Sequence, residues 1–348
     1  MVKHKHIPFY KKKPFLWTIG IIFGVILVIA LAFRFSPFPG ALVIKSVFDK
    51  DAHQKLEALQ KHAPSAPITV LSNQQYIEGN KDAVLDVYIP DEKVAGDAVL
   101  PVVVWTHGGA WISGDKTDAG PYFKLLAEKG YIVVAVNYSL APGKSYPTQV
   151  KQLNAAHAYI QSNAQRIHGD PHSIILAGDS AGAQLSSQMA AIITNPAYAK
   201  EMNITPSLSK DDLSAVILFC GIYKMEGLTH PEVALSKIVS WGNDIAVWSY
   251  TGTRDKDSPV IRQMSAYYHV NKDFPQTFIS GGNNDPLTGA QSVPLANKLK
   301  SMDVKVTELF YESGHTPGLP HEYQFNLDNQ DGMNALNKVE AFLTQVNS

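Results

Sequence analysis

The sequence predicts an α/β protein with a mostly parallel central sheet and helices on both faces. Short apolar runs recur at 83–89, 99–106, 131–137, 173–177, 215–220, 276–280 and 304–311, with the length and β-branched content of strands. Stretches with helical patterning fall between several of them, at 122–129, 148–167, 181–194 and 289–301, and a last one covers 331–346. Such alternation favours parallel pairing, because each parallel neighbour needs a crossover connection. Residues 67–348 carry no internal repeat or low-complexity tract, and a unit of about 280 residues suffices for one large core.

In chain order, residues 1–13 hold five lysines and no acid, and the next 19 residues from Phe15 to Phe33 are uncharged. At about 1.5 Å per residue that run spans a bilayer as a helix. The basic flank then stays in the cytoplasm and the remainder lies outside. We therefore expect a basic flank at 1–13, a transmembrane signal anchor at 14–33 and membrane attachment through 15–33. Cleavage near Ala32, leaving a secreted or periplasmic chain, is the competing expectation, since Ala30-Leu31-Ala32 has the small-x-small form; signal h-regions usually run only 7–15 residues. Residues 34–66 read as a linker or lid helix, with amphipathic patterning at 49–62 between Pro39 and Pro64.

The chemistry concentrates in two glycine motifs. The apolar run 173–177 leads into Gly178-Asp179-Ser180-Ala181-Gly182, a G-x-S-x-G between strand and helix. That is the nucleophile elbow of an α/β-hydrolase, whose tight turn lifts the serine hydroxyl clear of the sheet. Upstream, the strand at 99–106 runs into His107-Gly108-Gly109-Ala110-Trp111. Acyl transfer needs donors aimed at the developing oxyanion, and a glycine pair lets backbone N–H groups approach it. Gly108, Gly109 and Ala181 are the expected oxyanion donors, and His107 is expected to hold the loop.

The chain resembles the hormone-sensitive-lipase-like branch of α/β-hydrolase carboxylesterases over roughly residues 67–345. Four segments carry the likeness: His107-Gly108-Gly109-Ala110-Trp111, Val136-Asn137-Tyr138-Ser139-Leu140-Ala141-Pro142, the elbow, and Asp285-Pro286-Leu287 followed by a histidine. The resemblance implies a Ser-Asp-His triad and hydrolysis of small-molecule esters without a cofactor. Three positions depart from it: Ala110 where a third glycine is usual, Ser139 where arginine is frequent, and Ala183 where another glycine often follows the elbow. His-Gly-Gly-x-Trp is also similar to the motif of arylformamidases, so an aryl formamide or another amide is the alternative substrate. A triad-less binding module on the same fold is the alternative of another class; an intact serine, acid and histidine in order argue against it.

The other triad members follow from chain order, acid then histidine. Asp285 leaves the carboxyl end of the strand at 276–280, where a carboxylate orients a histidine; an Asp-Pro helix cap is the plainer alternative. His315 lies in the loop after the strand at 304–311 and is the expected base. His321, beyond Pro317 and Pro320, is its rival. No histidine spacing suggests a metal. Cys220, the single cysteine, ends a buried strand and reads as an inert apolar residue.

The segment at about 222–270 does not fit the sheet and reads as a lid insertion, with Trp241, Trp248, Tyr250, Tyr267 and Tyr268 packing the lid or lining a pocket. Charge excludes a nucleic-acid partner: the chain has 30 basic and 31 acidic side chains, and without the five N-terminal lysines 25 − 31 = −6, with no basic stripe.

Overall fold

A computed structural model describes residues 13–91, 99–231 and 236–347. The basic flank at 1–12 lies outside the described residues. Eight strands form one sheet: β1 (Ile68–Gln75), β2 (Val84–Pro90), β3 (Leu100–Thr106), β4 (Ile132–Val136), β5 (Gly169–Asp179), β6 (Leu213–Phe219), β7 (Gln276–Gly281) and β8 (Val306–Phe310). Their order is β1-β2-β4-β3-β5-β6-β7-β8. β2 pairs antiparallel with both β1 and β4, and the six strands from β4 to β8 are all parallel.

The parallel strands are apolar on both faces because both faces are covered. In β3, Val102 and Val104 join the core on one face, while Val103 and Trp105 join the other. Trp105 packs there among Tyr122, Phe123, Phe219 and Phe325. β1 carries no apolar run, because five of the eight residues of Ile-Thr-Val-Leu-Ser-Asn-Gln-Gln are polar and half are exposed; its pairing with β2 makes it a strand.

Helix α1 (Lys13–Phe35) and helix α2 (Phe38–Gln60) precede the sheet. Leu16–Phe35 has mean hydropathy 2.7, is not buried, and is long and apolar enough to cross a membrane. α2 begins eleven residues before the patterning at 49–62. Pro39 is tolerated because it sits in the first turn, where its missing N–H has no helical acceptor. Next come α3 (Gly120–Glu128), α4 (Thr148–Asn163) and α5 (Ala181–Thr194), close to the sequence expectation. The segment between β6 and β7 carries α6 (Lys237–Thr251). α7 (Val293–Lys300) and the closing α8 (Gln330–Val346) complete the set used below.

Candidate active site

The site forms where β3, β5 and β7 end. Ser180 follows β5 directly and is held at φ 49°, ψ −116°, a backbone conformation that costs a non-glycine residue about 1–3 kcal/mol. The fold supplies that strain by close approach: a Cβ on Gly182 would lie 1.9 Å from the Thr106 carbonyl oxygen. Only glycine lets the first turn of α5 press against the end of β3. Ser180 is nearly buried.

Asp285 stands in the turn after β7. One carboxylate oxygen accepts from the Leu287 N–H at 2.9 Å, which fixes its rotamer. The other lies 2.8 Å from His321 Nδ1, and His321 Nε2 lies 3.0 Å from Ser180 Oγ. The serine, a histidine and an aspartate thus form one hydrogen-bonded line, and the histidine is His321.

The expected base, His315, is not at Ser180. Its Nε2 lies 2.9 Å from Asp331 Oδ2 in the first turn of α8, beside the Tyr311 ring. The reason is reach. Three strand spacings separate β8 from β5, about 14 Å. Five residues from Phe310 to His315 span that distance only if nearly extended, about 17 Å, and the His315 N–H instead closes a turn onto the Glu312 carbonyl. Eleven residues carry the chain to His321. The loops are clasped on the way: the Leu319 N–H donates to Asn283 Oδ1 at 2.8 Å, and Asn283 Nδ2 donates to the His315 carbonyl at 3.0 Å. These bonds fold the β8 loop back over the β7 loop and set His321 above Asp285. The signal available in the sequence was this loop length.

The electrostatics favour a charged His321. Burial opposes the imidazolium, while Cys220, the hydrogen-bonded Asp285 and Glu322 hold it well above the usual histidine range. Burial pushes the Cys220 thiol up to about 11. Cys220, Asp285 and His321 bring potential metal ligands within 4.8 Å of one another, but two of the three are already hydrogen-bonded to each other.

Beneath the glycine loop lies a second polar group. Asp179 accepts from Trp105 Nε1 at 2.8 Å and lies against Gly108, where a Cβ would fall 2.3 Å from its Oδ2. Its carboxyl is pushed up to about 8 by burial and by Glu322. Glu322 sits below the usual range, burial notwithstanding, because Lys55 and His321 face it and Asp179 hydrogen-bonds it. Lys55 reaches it from α2, with Nζ 2.5 Å from Glu322 Oε2 and 2.6 Å from Asp51. Sequence reasoning found neither Glu322 nor Lys55.

Gly108 is required by the close approach of Asp179. Gly109 (φ 92°), Ala110 (φ 51°) and Trp111 (φ 61°) follow in left-handed conformations. Ala110 adopts there the backbone that its usual glycine provides. Trp111 locks the loop by donating to Gln184 Oε1 on α5 at 3.0 Å and stacking on Tyr250, 4.6 Å away and 2° from parallel. His107 is buried, pushed down to about 4 by that burial, and stacked on Tyr138. Of the five aromatics singled out at 222–270, Tyr250 packs the fold, while Trp241 stays partly exposed.

The BD-FAE family model matches residues 85–299, which include the oxyanion loop, the elbow and Asp285. The chain belongs to the BD-FAE family. Among similar proteins of Mycobacterium tuberculosis, a probable carboxylic ester hydrolase LipM is 30% identical over 211 residues, 58% of this chain and 44% of that protein. Esterase LipC is 27% identical over 251 residues, 71% of this chain and 58% of that protein. The chain spans about half the length of the curated relatives it matches. Esterase B from Lactobacillus Rhamnosis (HN001) superimposes with TM-score 0.75 at 20% identity, over 88% of this chain and 95% of that one. At that identity the likeness shows a shared fold, and the predicted α/β-hydrolase architecture holds.

Proposed function

We propose that this chain is a serine esterase of BD-FAE type, attached to a membrane through α1 with the hydrolase domain on the extracytoplasmic side. The observation that carries the chemistry is the line from Ser180 Oγ through His321 to Asp285, at 3.0 and 2.8 Å. Neutral His321 takes the Ser180 proton at Nε2 as Oγ attacks the ester carbonyl. Asp285 holds the ring and stabilises the imidazolium that forms. The N–H groups of Gly109 and Ala181, with Ala110 next in the loop, support the oxyanion. Gly108 contributes differently, by leaving room for Asp179. The imidazolium then protonates the departing alkoxide. Water, deprotonated by the same histidine, releases the acid and restores Ser180.

The test is fluorophosphonate labelling of the full chain in detergent, with peptide mapping and p-nitrophenyl ester turnover in the same preparation. Modification of Ser180 with stoichiometric loss of turnover is expected. A folded sample that neither labels nor loses turnover as Ser180→Ala refutes the assignment.

A further inference from the structure

Outside α1, every exposed large apolar side chain among the described residues except Val99 lies on two helices. On α2 they include Leu42 (65% exposed) and Val47 (62%); on α6 they are Ile238 (81%), Val239 and Trp241 (38%). Scattered apolar residues on a surface are ordinary, but a concentration on adjacent elements marks an interaction face. These helices are adjacent: Ala41 and Ile44 of α2 pack with Ile245, Ala246 and Trp248 of α6. Both also adjoin the end of α1. Arg254 just beyond α6 donates to the Arg34 carbonyl at 2.9 Å, and Phe33 shares a shallow pocket with Trp241.

We propose that this face of α2 and α6 lies in the interfacial layer of the same membrane that takes α1, its occupant being a lipid surface. The inference rests on the anchor reading above. Continuity chooses the occupant, because the apolar face begins within three residues of the end of α1. Its composition agrees. Trp241 and Trp248 have the amphipathic rings enriched at the interface, and Arg254, which stacks its guanidinium 4.5 Å over Trp248, places a cation at headgroup level. The arrangement bears on the site, since the same packed cluster includes Ala110 and Ile112 of the oxyanion loop. The layer covering that loop would be the layer resting on lipid.

Nitroxide labels on single introduced cysteines in the full chain, reconstituted in phosphatidylcholine–phosphatidylglycerol vesicles, test this; buried Cys220 stays unreacted. Labels go at Ile26→Cys in α1, Val47→Cys, Ile238→Cys, and Lys338→Cys on α8. Lipid-soluble oxygen and a water-soluble nickel chelate then report where each label sits. We expect oxygen-to-chelate ratios at 47 and 238 several-fold above that at 338, with 26 highest. Ratios at 47 and 238 equal to that at 338, with 26 in lipid, overturn the proposal. Labels at 47 and 238 shielded from both relaxants and broadened by one another overturn it in favour of a second copy on this face. A label at 26 in water removes the anchor reading itself, and the inference with it.

Discussion

Replacing the two loop histidines in turn separates the rival bases. His321 touches both Ser180 and Asp285; His315 touches Asp331 and Tyr311. Loss of a triad base costs about 10⁵–10⁶ in kcat, equivalent to about 7–8 kcal/mol of transition-state stabilisation at 1.36 kcal/mol per decade. His321→Ala should therefore leave only the slow turnover of the oxyanion donors and binding. His315→Ala removes one hydrogen-bonded pair whose side chains are 28% and 16% exposed, worth about 1 kcal/mol. It should lower Tm by about 2–4 °C for a domain of this size and leave kcat within about threefold. The assay is p-nitrophenyl acetate hydrolysis by the full chain in detergent, with unfolding followed on the same samples. His321→Ala retaining turnover within tenfold of the parent, or His315→Ala abolishing it in a folded sample, would refute the geometry argued above.

Four further outcomes follow from the site. The acid limb of kcat/KM should lie above pH 6.5, because His321 must be neutral to accept a proton and Cys220, Asp285 and Glu322 hold its folded value above the ordinary one; Glu322→Gln should move that limb to lower pH. The same raised groups set stability with the opposite sign. His321 and Asp179 bind protons more readily folded than unfolded, so their stabilisation is complete below the unfolded values and fades as pH rises through the folded ones. Between pH 5 and 8 Tm should fall as kcat/KM rises, each group contributing at most about 1.4 kcal/mol per pH unit, and a Tm that rises across that window contradicts the assignment. Gly182→Ala should cost about 3 kcal/mol or more and most activity, since its Cβ would meet the Thr106 carbonyl; near-parental stability by denaturant unfolding counts against it. Lys55→Met should destabilise by about 2 kcal/mol, less than a fully buried broken pair because Lys55 is 31% exposed, with Lys55→Arg restoring most of it in the same measurement.

The parallel sheet was legible because its strands are buried on both faces and announce themselves as apolar runs bounded by turns. β1 was not, since five of its eight residues are polar and half are exposed. The elbow and the oxyanion loop were legible for a different reason. Both depend on glycine where a Cβ would collide, and steric demands of that kind write themselves into local sequence. Ala110 and Gly108 show the limit. The motif points to the loop, while Asp179 filling the space beside Gly108 depends on how β3 and β5 meet.

The histidine was harder to place because its position is a property of a path rather than of a motif. His321 lies farther from the end of β8 than His315, and crossing from β8 toward Ser180 at the end of β5 takes the longer tether. The nearer histidine instead meets Asp331 at the start of α8, 2.9 Å away. The same crossing explains why Lys55 and Glu322 escaped notice. They are 267 residues apart and meet only because α2 returns along the sheet to the loop that carries His321. A helix read from its sequence as a linker or lid thereby places a cation next to the carboxylate beside His321, and the segment that follows α1 becomes part of the electrostatics of the site.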